Sequence, residues 1–373
     1  MNILHIYKDY YPVFGGIENH VKDLAEGLAA RGHTINVLVT SLDRRTQVET
    51  LNGVRIVKTS RWVHVASTPL SPSMFVWARR LGRDADVVHL HFPYPPGEVA
   101  YLLSGSRAPA VISYHSDIVR QKSLLRLYRP VLWRVLNRVD CILPTSPRYV
   151  ETSPVLRRYR DKCRVVPLGV DVGRFAAAST SRVAELRDRL SNPPTDHLLL
   201  SVGRLRYYKG LDTLIRALPD LPTARAVIVG TGPMESEWRE LAQAQGVGER
   251  VTFAGDVPDV DLVNYFHAAD VYVLPANARA EAYGIALVEA MAAGLPCVTT
   301  EVGTGTSWVV QDGVTGIVVP PHNPAAMARA VAGLLEDPDR RRIMARAAAQ
   351  RARQEFDKRL MVDRVLAVYQ SLT

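Results

Sequence analysis

The sequence predicts an α/β protein made of two parallel-sheet domains, and three observations carry that expectation. The chain has 373 residues, more than one hydrophobic core commonly supports. In both halves short apolar runs alternate with stretches at helical spacing, and strand–helix–strand order implies parallel sheets joined by right-handed crossovers. Residues 176–194, between the halves, are rich in Ala, Ser, Thr and Arg and carry no strong strand. That composition places the junction near 170–196.

Each element follows from its own pattern. The apolar run 3–7 predicts the first strand. Residues 17–31 carry Val21, Leu24, Ala25 and Leu28 at helical spacing, and Gly32 closes that helix. Strands follow at 35–40, 54–57, 87–90, 110–114 and 141–144. In the second half 198–202 predicts a strand, 211–218 a helix, 226–230 a strand and 235–245 a helix. Further strands are expected at 251–253, 271–274, 296–300 and 316–319. Residues 333–373 read as two helices broken near 355–357.

Composition narrows the function classes. Hydrophobic residues at 47% and charged residues at 22% fit an ordinary globular protein. No apolar run approaches the roughly 20 residues a membrane helix needs. The N-terminus reads as a strand and not as a leader peptide. Cys141, Cys163 and Cys297 are widely spaced with no CxxC pair, which argues against a disulfide framework or a zinc site and fits a reducing cytosol. The net charge of +9 is concentrated: thirteen Lys and Arg against four Asp and Glu fall between 107 and 164. Within 123–136 these charges interleave with Leu, Tyr and Trp. Such a segment can lie on an anionic membrane surface, and a solvated helix face explains it equally well. No nucleic-acid-binding motif accompanies the charge, so nucleic acid is not an expected partner.

The chemistry concentrates in the second half. Glu281 and Glu289 stand eight positions apart around Gly284. Ile285, Leu287, Val288 and Met291 form an apolar helical stripe, with Gly294 and Pro296 ending the helix. Glu289 is a charge in an apolar run, which suggests a ligand or a partner. Glu281 precedes the helix, near its positive end. Gly203, Arg204, Lys209 and Gly210 follow the strand 198–202, so a fork and a point charge can converge on one anion. Two cations and two carboxylates suit a diphosphate carrying several hydroxyls, that is, a nucleotide sugar. Near the start, Phe14, Gly15 and Gly16 lie between a strand and a helix, as a plain turn or as a close approach to an anionic ligand. Gly230 and Gly232 flank another turn after a strand. His115 ends a strand, where α/β sheets place ligands. Asp117 reads as an acceptor contact or a loop turn. His89 and His91 share one strand face, with no other ligand group close in sequence, so no metal site is expected there.

Taken in order, Gly15-Gly16-Ile17-Glu18-Asn19-His20, Val166-Pro167-Leu168-Gly169-Val170-Asp171 with Phe175, Gly203-Arg204 with Lys209-Gly210, and Glu281 to Glu289 resemble the retaining glycosyltransferases of family 4. The resemblance covers nearly the whole chain. It implies the GT-B fold: two Rossmann-like domains facing a cleft, an N-terminal acceptor-binding one over 1–175 and a C-terminal nucleotide-sugar-binding one over 176–358. A last helix over 359–373 would cross back to the first domain. It implies catalytic roles for Arg204, Lys209, Glu281 and His115. Donor binding falls to Gly15, Gly16, Gly203, Gly232, Tyr283, Gly284, Ile285 and Glu289, and acceptor binding to Glu18, His91 and Asp117. No metal or other cofactor is expected. Asp259 and Asp261 have DxD spacing but fall on an expected connector after Pro258.

One departure bears on the donor. The family's Gly-Gly loop, which commonly ends in a glutamate, reads here Val302-Gly303-Thr304-Gly305-Thr306-Ser307-Trp308. Its amides remain available to a phosphate or to sugar hydroxyls. This version is similar to that of bacterial polysaccharide mannosyl- and rhamnosyltransferases. It favours a GDP-sugar over a UDP-sugar, with a glycan or lipid-linked glycan as acceptor. The expected place is the cytoplasm, including the inner face of the cell membrane. A sugar-nucleotide epimerase, a phosphorylase or a silent nucleotide-sugar-binding module would share this architecture.

Overall fold

The computed structural model describes residues 1–13, 15–65, 68–118, 122–191, 193 and 196–373, with backbone alone at 65 and 122–125. Phe14 of the glycine turn, Arg120 of the basic region, and Asn192 and Pro194 of the expected junction lie outside the described residues. The chain divides into two compact units. One is Met1–Leu168 with Lys358–Thr373, and the other is Gly169–Asp357.

The first unit is a seven-stranded sheet. In chain order its strands are β1 (Asn2–Ile6), β2 (Thr34–Thr40), β3 (Gln47–Leu51) and β4 (Val54–Thr59). After a short hairpin, β5 (Val63–Val65) and β6 (Thr68–Leu70), come β7 (Val87–Phe92), β8 (Ala110–Tyr114) and β9 (Cys141–Pro144). The sheet order is β3-β4-β2-β1-β7-β8-β9, parallel except where β3 pairs with β4. Burial explains the order. Strand β7 is buried at every position and runs near the centre, whereas β3 is mostly exposed and forms an edge. Two helices that apolar periodicity did not single out, Pro72–Arg83 and Pro95–Ser104, each begin on a proline, which suits a first helical turn.

The last helix, Lys358–Gln370, belongs to this unit and packs on the helix Gly16–Ala29. Arg31 Nη2 meets Asp363 Oδ1 at 2.6 Å, and the Tyr369 hydroxyl is hydrogen-bonded to His89 Nδ1 on β7.

The second unit is a six-stranded, wholly parallel sheet. Its strands are β10 (His197–Val202), β11 (Ala224–Val229), β12 (Val251–Gly255), β13 (Val271–Leu274), β14 (Cys297–Thr300) and β15 (Gly316–Val319). They run in the order β12-β11-β10-β13-β14-β15. Leu199, Ile228, Val273 and Val298 of the sheet share a core with Leu214, Ile215, Val331 and Leu334 of the helices.

The stretch 176–194 is not a linker. It contains the helix Thr180–Leu190, which buries Leu186 and Leu190. Arg187 of that helix ties to Asp270 Oδ2 at 3.0 Å. The unit boundary lies at Leu168 and Gly169 instead. At its other end, helix Pro338–Glu355 stops at Phe356, whose carbonyl accepts from the Val170 amide at 2.9 Å.

Candidate functional site

Strand order in the second unit reverses between β10 and β13, which are hydrogen-bonded neighbours although β11 and β12 intervene in sequence. In open α/β sheets ligands bind beyond the carboxyl ends of strands at such a switch point. The segments that leave those two strand ends carry Gly203 to Lys209 and Ala276 to Glu281.

They meet in one ion pair: Lys209 Nζ lies 2.8 Å from Glu281 Oε2, with the two side chains 14% and 10% exposed. Burial pulls the Lys209 ammonium down, but the charge and hydrogen bond of Glu281 outweigh it and the net shift is upward. The pair is fixed from both sides. Gly203 adopts φ +136°, and a Cβ there would stand 3.1 Å from Lys209 Cε and Nζ, so glycine lets the lysine lie along the backbone. On the other side Thr304 Oγ1 donates to the Glu281 carbonyl at 2.7 Å.

Arg204 stands apart from this pair. Its side chain is exposed and makes no ion pair among the described residues. Its charge does reach the same phenol as the pair: Tyr208, raised first by burial and then by Glu281, is pulled back by Lys209, Arg206 and Arg204.

Gly284 enters the helix Ile285–Ala292 at φ +77°, a left-handed conformation that L side chains rarely adopt. Glu289 is half-buried on this helix and makes no ion pair among the described residues. Burial pushes its carboxyl up to about 7, against the pull of Arg174. Tyr283 is buried and meets the Phe356 ring edge-on, with centroids 6.5 Å apart. Gly232 sits in a turn folded onto Leu205, whose amide donates to the Thr231 carbonyl at 2.9 Å.

Two expectations about this unit change. The loop 302–308 does not keep its glycine amides open. The Gly303 amide donates to Glu301 Oε1 at 2.7 Å and the Gly305 amide to the Ala282 carbonyl at 2.8 Å. Asp259 and Asp261 lie in the first turn of the helix Asp259–Ala268, not on a connector, and face Arg174 at 3.4 Å and Arg182 at 3.1 Å. A helix whose early amides favour anions explains both acids there.

In the first unit the predicted residues fall on three elements. Gly15 and Gly16 open the helix Gly16–Ala29, and Glu18 in its first turn is buried and paired with Lys8 at 3.3 Å. Asp117 Oδ1 accepts from Tyr114 at 2.9 Å and Ser153 at 2.7 Å, which holds the loop after β8. His91 is 1% exposed, with its ring nitrogens against His5 and His115. Sequence reasoning missed Thr304 and Tyr208 beside the ion pair, and it missed that His5 and His20 join the His89–His91 pair. No local spacing signals any of these.

Comparisons with known proteins bear on the family and the fold. The family model "Glycosyl transferases group 1" matches residues 183–351, and "Glycosyltransferase Family 4" matches residues 14–174. The chain is 41% identical over 360 residues to D-rhamnosyltransferase WbpZ of Pseudomonas aeruginosa, covering 95% of this chain and 92% of that protein. It is 35% identical over 373 residues to O-antigen chain mannosyltransferase C of Escherichia coli, covering 100% and 98%. Among solved structures, sucrose-phosphate synthase from Thermosynechococcus elongatus superposes with a TM-score of 0.81 at 23% identity over 100% of this chain and 98% of that one. Anabaena HepE in complex with UDP-glucose does so with a TM-score of 0.80 at 21% identity over the full length of both. The structural neighbours identify the fold as GT-B.

Proposed function

This chain belongs to the group 1, family 4 glycosyltransferases, and from that premise we propose that it moves one mannose- or rhamnose-like sugar from a GDP-sugar to a hydroxyl of a glycan or lipid-linked glycan, with retention of configuration. The observation that carries the proposal is the buried Lys209–Glu281 pair at the switch point of the second unit. The names of the two relatives, a D-rhamnosyltransferase and an O-antigen chain mannosyltransferase, support the sugar class and the glycan acceptor.

Breaking the donor's glycosidic bond leaves charge on the departing diphosphate. Lys209 is pre-oriented by Glu281, and Arg204 is an exposed cation on the same loop. A cation held in place as Lys209 is needs no reorganisation as charge develops, which is the main source of electrostatic catalysis, and Arg204 adds a second charge to the loop. Two cations supply the neutralising charge, so no divalent metal is called for at the diphosphate. Glu281 holds sugar hydroxyls and fixes the donor's pose. Glu289, held on the helix after Gly284, accepts from the ribose hydroxyls.

The same reading rests the basic helix Lys122–Arg138 on an anionic leaflet at the cytoplasmic face. Arg126, Leu127, Arg129 and Arg134 are exposed on it, while Leu132, Val135 and Leu136 are buried. No helix among the described residues is long and apolar enough to cross a membrane.

The decisive experiment incubates the purified chain with a panel of GDP-, UDP-, ADP- and dTDP-sugars and a lipid-linked glycan acceptor. Release of nucleoside diphosphate with a new glycoside of the donor's own anomeric configuration supports the proposal. Interconversion of nucleotide sugars without acceptor would make it an epimerase. Sugar 1-phosphate formed from inorganic phosphate would make it a phosphorylase.

A further inference from the structure

Five of the chain's ten histidines lie together inside the first unit. His5 comes from β1, His89 and His91 from β7, His115 from the end of β8, and His20 from the helix Gly16–Ala29. Parallel register brings His5 opposite His89 and His91 opposite Ser113. Exposure is 0% for His5 and His89, 1% for His91, 4% for His115 and 6% for His20.

The ring nitrogens fall into two sets. His5 Nδ1 faces His91 Nε2 at 3.1 Å, and His91 Nδ1 faces His115 Nε2 at 3.2 Å. His89 is engaged on both sides, by Tyr369 and by Ser113 Oγ at 2.8 Å. Left without a partner are both nitrogens of His20, Nδ1 of His115 and Nε2 of His5. An unpartnered buried polar group costs stability. Packing alone would be served better by apolar rings, so these imidazoles ask for a ligand. Burial lowers His20 to about 4 and pulls His91 and His115 well below the usual range. Burial thus favours the neutral imidazole, the form that binds metal.

Two triplets place one ligand atom from each ring within 4.8 Å of one another: His5, His89 and His91, and His20, His91 and His115. The first includes His89, whose nitrogens are both taken. The second contains His20, both of whose nitrogens are unpartnered, and His115 with one, and these two rings are more exposed than His5 and His89. We propose that His20, His91 and His115 form a three-imidazole site for a divalent transition-metal ion of the zinc class. Metal–nitrogen bonds of about 2.0–2.1 Å in a tetrahedron set neighbouring nitrogens about 3.3–3.4 Å apart. The facing nitrogens of His91 and His115 already stand at 3.2 Å. The proton they share moves to the outer nitrogen of one ring, which frees both lone pairs and releases no net proton. The second nitrogen of His91 stays hydrogen-bonded to His5, as metal-bound histidines are commonly oriented by a partner behind them. Imidazole donors select zinc, copper or nickel over magnesium or calcium. The site uses none of Arg204, Lys209, Glu281 or Glu289; it shares His115 and His91 with the residues to which the family resemblance gives catalytic and acceptor-binding roles, and His20 is its own.

The test uses the full chain, made without a polyhistidine tag, stripped with a chelator and titrated with Co²⁺ as a coloured substitute for Zn²⁺. One equivalent should give the intense visible absorption of four-coordinate cobalt, and Zn²⁺ should displace it. His20→Asn should abolish this signal with an unchanged far-ultraviolet circular dichroism spectrum, while His64→Asn and His322→Asn, at exposed positions, should retain it. In the unmutated chain, Zn²⁺ should shift the ring resonances of three buried histidines and leave those of His64 and His322 in place. Weak six-coordinate cobalt spectra, binding that survives His20→Asn, or shifts confined to exposed histidines would each overturn the proposal.

Discussion

Lys209 and Glu281, 72 positions apart in the chain, meet at 2.8 Å in a nearly buried ion pair. They arrive from the carboxyl ends of two neighbouring parallel strands, so the sheet and not the local sequence brings them together. Removing one partner leaves a charge with no counter-ion, which costs about 3–5 kcal/mol for a buried pair. Lys209→Met alone should therefore destabilise the second unit by about 3 kcal/mol in denaturant unfolding. Lys209→Met with Glu281→Gln should recover most of that loss. Turnover should fall roughly 10²–10³-fold in the single variant, the usual effect of deleting one charge-stabilising donor, and stay low in the pair. Recovery of turnover with stability would remove Lys209 from the chemistry.

Glu289 supplies a pH signature. Its carboxyl is raised from the ordinary 4.5 to about 7 by burial. The folded state then holds the proton more tightly than the unfolded state, so stability contributed by this group is present below 4.5 and declines as pH rises through about 7. Glu289→Gln should flatten that slope. If the ionised form accepts from ribose, the donor KM should also drop as pH rises through about 7, and the glutamine variant should lose that dependence. Parallel pH profiles in the two proteins would sink both statements.

Divalent cations give a third check. If Lys209 and Arg204 neutralise the diphosphate, Mg²⁺ or Mn²⁺ should change the transfer rate by no more than about twofold, since these oxygen-seeking ions would have no place in the step. A tenfold activation by Mn²⁺ in initial-rate assays would point to a metal at the diphosphate.

The basic helix Lys122–Arg138 exposes Arg126, Arg129 and Arg134 beside Leu127, which is 80% exposed. Flotation with vesicles containing anionic lipid should recover the chain at low salt and lose it as salt rises, because charges near a surface are screened over about 10 Å at 0.1 M. Reversing the three arginines to Glu should abolish recovery. Equal binding to neutral vesicles would argue for a plain solvated face.

Much of the architecture was legible because buried parallel strands write themselves as short apolar runs. Residues 198–202 and 271–274 were marked within a residue of β10 and β13. The helix Thr180–Leu190 was not, since only Leu186 and Leu190 of its eleven residues are buried and its other positions carry Arg182, Glu185, Arg187, Asp188 and Arg189. Strand β3, an exposed antiparallel edge, carries no apolar run to find. In the site, Glu289 stood out as a carboxylate in an apolar helix, and it is half-buried. The closed amides of Gly303 and Gly305 depend on Glu301 and Ala282, contacts that no pattern of spacing encodes. The histidine cluster was invisible for the same reason: four elements supply it, and only His89 and His91 are close in sequence.

The helix Lys358–Gln370 sets an order on biogenesis. The body translated first lacks this helix, and the hydrogen bond from Tyr369 to His89, until residues 358–370 have been made and released from the exit tunnel. The half translated second has all its own residues at Asp357. The N-terminal half is thus begun early and finished late, and ribosome-stalled chains carrying residues 1–357 followed by an unstructured linker long enough to clear the exit tunnel should show protease-sensitive residues 1–168 beside a resistant 169–357. Equal resistance of both would mean the helix is dispensable for closure.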